Sequence, residues 1–170
     1  MEITAGAALF YPFLLLLDRE GWLSVFLPAV LSHELGHLIM IGLCGGRLTS
    51  VRVEAAGLCI ETTAFTAPAQ ELLCTAAGPA AGLVWYAFTR QFSSAWWTNA
   101  SYAALILNVF NLLPALPLDG GRILSLLLSD HAATIVSQIM AAMLVYIIFR
   151  YRAWLLIVPA VLICKSCLSS

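Results

Sequence analysis

Two histidines four residues apart, with a glutamate beside the first, form the most chemically loaded stretch of this chain: Ser32-His33-Glu34-Leu35-Gly36-His37. On a helix, residues four apart lie one above the other, so His33 and His37 can present imidazole nitrogens to one metal ion while Glu34 stands next to them. A catalytic zinc takes three protein ligands and keeps a fourth position for water, so a further ligand is required elsewhere in the chain. Asp119, in Asn111-Leu-Leu-Pro-Ala-Leu-Pro-Leu-Asp119-Gly-Gly121, is the candidate. Glu34 is placed to act as the general base towards a metal-activated water, and the side-chain amide of Asn111 is a candidate donor to the oxygen on which negative charge develops. Glu54, Glu61 and Glu71 read as surface or interfacial carboxylates, any one of which is a competing third ligand, and His131 beside Asp130 reads as a solvated loop residue.

The elements that must position these residues lie in membrane. With 170 residues, 62% hydrophobic and 10% charged, the chain is far more apolar than a soluble domain, which averages about 45–50% apolar and about 25% charged. A net charge of −1 without a basic cluster excludes a nucleic-acid partner. The N-terminal residues Met1-Glu2-Ile3-Thr4 lack a cationic signal region, so the first apolar run is expected to be a retained segment. Five scattered cysteines argue against a disulfide framework, and Cys164-Lys-Ser-Cys167 has no second pair to complete a metal knuckle.

Along the chain, Ile3–Leu17 is a short apolar run containing Pro12 and is expected to span only with help. After the charged connector Asp18-Arg19-Glu20, Gly21–Leu43 is long enough to cross and is stopped by Gly45-Gly46. His33, Glu34 and His37 therefore fall within the apolar layer, where ionisable side chains mark function. Val51–Glu54 and Leu58–Glu61 alternate apolar and polar residues and predict a β-hairpin with Ala55-Ala56-Gly57 as its turn. That hairpin serves either as punctuation between helices or as an edge onto which a substrate strand adds.

Pro68 introduces a helix over Ala69–Phe88, whose small residues Ala77-Gly78-Pro79-Ala80-Ala81-Gly82 favour close helix contact. Arg90–Asn99 reads as a polar and aromatic connector with Trp96 and Trp97 at headgroup level. Ala100–Leu128 must break at Pro114 and Pro117, with a short helix opening at Gly120, and Ala132–Phe149 and Ala153–Leu168 complete the set. The expected fold is all-α and membrane-embedded: about six transmembrane helices in a single domain over 1–170, with a small membrane-associated hairpin after the histidine helix. Basic residues divide evenly between the two faces, so orientation does not follow.

His-Glu-Leu-Gly-His at 33–37, the hairpin, Ala77-Gly78-Pro79 and Asn111-x-x-Pro114-x-x-Pro117-Leu-Asp119-Gly120 together resemble the site-2 protease family of intramembrane zinc metalloproteases. The resemblance implies one zinc on His33, His37 and Asp119, Glu34 as catalytic base, Asn111 near the substrate, and cleavage of a transmembrane or membrane-associated protein. The compact form is similar to the sporulation proteases that process a sigma-factor precursor. It implies a multi-pass location in a bacterial cell membrane, with a regulatory membrane protein as a further partner. Gly82 stands where many members carry Asn, and Ala55-Ala56-Gly57 where a Gly-Gly turn is common. The rival readings are a membrane metalloprotease with glutamate as third ligand, and a non-catalytic membrane chaperone or transporter subunit that keeps the fold. An intact Glu34 argues against the second, because a structural metal has no use for a base beside its ligands.

Overall fold

A computed structural model describes residues 2–3, 18–54, 57–62, 65 and 67–152. The order is β1 (Glu2–Ile3), α1 (Trp22–Leu43), β2 (Leu48–Glu54), β3 (Gly57–Thr62), α2 (Pro68–Thr89), α3 (Ala95–Asn111), α4 (Asp119–Leu127) and α5 (Asp130–Tyr151). The architecture is the expected one, a mostly helical membrane protein with a small sheet after the histidine helix. Among the described residues α1, α2 and α5 are long and apolar enough to cross a bilayer, with mean hydropathies of 1.4, 1.3 and 2.1. Most of the first expected span, and all of the last, lie outside the described residues, as does the Cys164–Cys167 pair. The chain divides into two compact units, Met1–Asn108 and Val109–Ser170.

In the first unit, α1 begins where the Asp18 carboxylate accepts from the backbone N–H groups of Trp22 and Leu23 at 2.7 and 2.9 Å. These are among the donors a helix start leaves unpaired, and a negative charge there also suits the helix dipole. The helix ends in a Schellman turn: Gly45, at φ 73°, donates to Gly42 O and Gly46 donates to Ile41 O. Only glycine enters that left-handed conformation without strain, so the Gly45-Gly46 stop follows from backbone sterics. Leu27, Leu31, Leu35, Ile39 and Leu43 form an exposed apolar stripe at four-residue spacing, while Val25, Ala29, His33, Gly36 and Ile41 are buried. An apolar helix with an apolar outer face belongs in lipid.

The sheet order is β1-β2-β3, with β1 parallel and β3 antiparallel to β2. Two expectations change here. Glu54 pairs with Gly57, which puts Gly57 in the strand instead of the turn, and Ile3 pairs with Val53 instead of opening a membrane helix. A third change concerns α3, which starts at Ala95 and takes in Trp96 and Trp97, so the connector after α2 is shorter than composition suggested. Val25, Ala29, Ala100, Ala103 and Ala104 form the core of this unit, flanked by Phe26, Trp85, Tyr86 and Leu107. Alanine at three of those positions lets α3 approach closely. At one end, Trp85, Phe88, Phe92, Trp96 and Trp97 make a connected aromatic cluster, and Trp96 Nε1 donates to Ser24 Oγ at 3.1 Å. Amphipathic rings of this kind suit the headgroup level.

In the second unit, α3 stops at Asn111 and the chain runs without regular helix to Asp119, through a cis Leu116–Pro117 peptide. Irregular backbone in an apolar layer requires partners for its polar groups. Leu116 N–H finds one in the buried Ser137 hydroxyl at 2.7 Å, and that hydroxyl donates in turn to Ala133 O at 2.6 Å. Leu113 and Leu118 donate to the carbonyls of Phe110 and Ala115. Ala115, Ala141, Leu144 and Ile148 form this unit's core, with Leu118 and Met140 against it.

Candidate metal centre

His33 is buried on α1, and its Nδ1 lies 2.8 Å from Asn108 Oδ1. The roles in that contact are decided by the other end of the amide. Asn108 Nδ2 lies 2.7 Å from the carbonyl oxygen of Ala104, which can only accept, so Nδ2 donates there and Oδ1 faces the imidazole. His33 Nδ1 is therefore a donor. His37 Nδ1 lies 2.8 Å from the backbone oxygen of Cys74, again an obligate acceptor, so it donates as well.

With both Nδ1 atoms protonated, the neutral rings present both Nε2 atoms as acceptors. These stand 3.2 Å apart, with the ring planes at 79°. Two lone pairs so arranged can share one cation, and imidazole nitrogens with their far N–H groups held by acceptors are the usual form of metal-ligating histidines. This donor set fits a metal ion.

The small residues of α2 make room for this arrangement. A Cβ on Gly78 would occupy the His37 ring, and one on Gly82 would occupy the Asn108 amide. A Cβ on Gly36 would meet the Ala77 carbonyl, so α1 and α2 touch backbone to backbone beside the pair. The small-residue stretch, expected only to let helices approach, also shapes the space around both histidines. Glu34 follows His33 on α1 and is half-buried.

The remaining candidates belong to the second unit. Asn111 is the last residue of α3 and half-buried. Asp119 is the first residue of α4 and 8% exposed. Gly120 and Gly121 leave room for the chain that precedes them: a Cβ on the first would strike the Leu112 carbonyl, and one on the second the Ala115–Leu116 peptide. The proline segment can thus fold tightly over the turn that carries Asp119. Glu71 sits in the first turn of α2 and His131 in that of α5, while Glu54 and Glu61 are strand residues.

Asn108 was not among the residues expected to matter. The available signal was a lone amide inside the apolar run Ala103–Phe110, which is costly in membrane unless partnered.

Comparison with known proteins gives two findings. A sequence model of peptidase family M50 matches residues 86–151, the span that contains Asn111 and Asp119. The structure of the site-2 protease from Methanocaldococcus jannaschii is similar, with a TM-score of 0.70 and 22% sequence identity, over 98% of this chain and 88% of that one. No curated protein matches the sequence. The chain is thus similar in sequence to peptidase family M50 over residues 86–151 and shares its fold with a site-2 protease.

Proposed function

We propose that the chain is a zinc-dependent intramembrane endopeptidase of regulated proteolysis in a bacterial cell membrane. Its substrate class is a transmembrane or membrane-associated protein, such as a membrane-tethered precursor of a transcription factor of the sporulation sigma type. The observation that carries the reading is the Nε2 pair of His33 and His37 at 3.2 Å. Two nitrogens at Zn–N distances of about 2.0–2.1 Å on a tetrahedral ion are about 3.3 Å apart. Asp119 is the third ligand in this proposal, supported by its buried carboxylate and its place in the M50-matching span.

Zinc, when bound, supplies a water acidified towards neutrality and polarises the scissile carbonyl. Beside such a metal, Glu34 would serve as the base that accepts a proton from water and as the acid that returns it to the leaving amine. The Asn111 amide donates to the carbonyl oxygen as it gains charge. A substrate helix must first unwind, because its peptide bonds are engaged in internal hydrogen bonds. β3 lies at the margin of the sheet, with an edge that no described strand covers, and strand addition there would hold an unwound segment extended.

The test combines zinc content with cleavage of a panel of membrane-tethered precursors, on detergent-purified wild type, Glu34→Gln and Asp119→Ala. Glu34→Gln is expected to retain zinc and lose cleavage, and Asp119→Ala to lose both. A wild type that holds no zinc in zinc-supplied buffer refutes the proposal, and an Asp119→Ala variant with full zinc and activity transfers the third-ligand role to another carboxylate.

A further inference from the structure

We infer that Asn108 is a positioning residue for the metal centre, seated in the recess left by Gly82 and setting the tautomer and ring orientation of His33. The inference rests on the proposed metal site and adds to it the group that holds one of its ligands. Asn108 is fully buried, and its amide is used at both ends: the nitrogen on its own helix at Ala104 O, the oxygen on His33 Nδ1. That anchoring prevents the amide from turning over, because a turned amide would set its oxygen against the Ala104 carbonyl oxygen, acceptor against acceptor. His33 is therefore held with Nδ1 protonated and Nε2 turned towards His37 Nε2, as a metal ligand requires.

The recess is equally specific. A Cβ at residue 82 would fall on the amide itself, so α3 can deliver Asn108 to His33 only past a residue without a side chain. Gly82 and Asn108 thus act as one device across two helices: a vacancy on α2 and the amide on α3 that fills it. Partners of this kind typically change metal affinity by about 10- to 100-fold when removed.

Three variants of the full chain in detergent test this: Asn108→Leu, which keeps the branched shape and removes the acceptor; Asn108→Asp, which keeps an acceptor for His33 Nδ1; and Gly82→Ala, which displaces the amide while leaving both partners in place. Zinc affinity is read by chelator competition, and the His33 tautomer by imidazole 15N shifts of the metal-free protein. The expected result, in both Asn108→Leu and Gly82→Ala, is a loss of zinc affinity of about 10- to 100-fold and, with the metal absent, loss of the Nδ1-protonated form of His33, while Asn108→Asp recovers zinc affinity to within a few-fold. Should Asn108→Leu fail to fold, Gly82→Ala and Asn108→Asp decide the question. Unchanged affinity in Asn108→Leu or Gly82→Ala, beside a wild type that binds zinc, overturns this assignment and leaves the proposed function standing. A wild type that binds no zinc overturns both.

Discussion

The two histidines are oriented by different means, and the difference sets what single substitutions will do. His37 rests against a glycine and donates to a main-chain carbonyl; His33 depends on a side chain from another helix. Gly78→Ala places a methyl group inside the His37 ring position, so the imidazole must leave its alignment. The expected outcome is a protein that inserts and folds yet holds zinc at least about tenfold more weakly, checked by chelator competition beside circular dichroism. The ligand pair itself was readable from residue type and four-residue spacing, because those two features alone bring both side chains to one helix face. Asn108 was not readable as its partner. Its importance comes from a 75-residue separation closed only by folding, and a lone amide in an apolar run declares a cost without naming the group that offsets it.

Among the elements, the segment between α3 and α4 shows how an irregular chain survives in an apolar layer. Prolines at 114 and 117 forbade a continuous helix, so the break was legible in advance. What the break leans on was not, since the Ser137 hydroxyl that satisfies Leu116 N–H comes from α5. Ser137→Ala leaves that buried donor without its partner, an expected loss of about 1–3 kcal/mol. Thermal unfolding in detergent checks it, with Ser137→Thr retaining most of the stability. The start of α3 was misjudged for a related reason: tryptophans at 96 and 97 mark a depth in the bilayer, which a helix end satisfies as well as a loop does. The hairpin strands followed from their alternation, whereas the pairing of β1 with β2, between Ile3 and Val53, has no local signature.

For the molecule as a whole, the distribution of apolar surface is that of a protein dissolved in lipid. The leucine and isoleucine stripe on α1 lies opposite the buried histidine face, and large apolar residues such as Ile135, Ile139 and Phe149 are exposed along α5. Leu31→Lys puts a charge on the outer face near the middle of α1, at a cost of about 2.5–3.5 kcal/mol. Membrane fractionation after expression is expected to show reduced insertion for Leu31→Lys and wild-type insertion for Leu31→Ile, a contrast that a water-exposed helix face would not produce. The hydropathy of the sequence announces this environment directly, because transfer into lipid is scored residue by residue. The site inside it depends on which helices touch, and composition does not encode that.

The carbonyl of Cys74 that fixes His37 belongs to the main chain, so every residue compatible with a helix at position 74 supplies it equally well. His33 relies on one amide at position 108 and one vacancy at position 82. The two ligands are thus unequally exposed to genetic drift. Changes at codon 74 that fit its buried site leave the partner of His37 in place, while the orientation of His33 is hostage to two codons that must vary together.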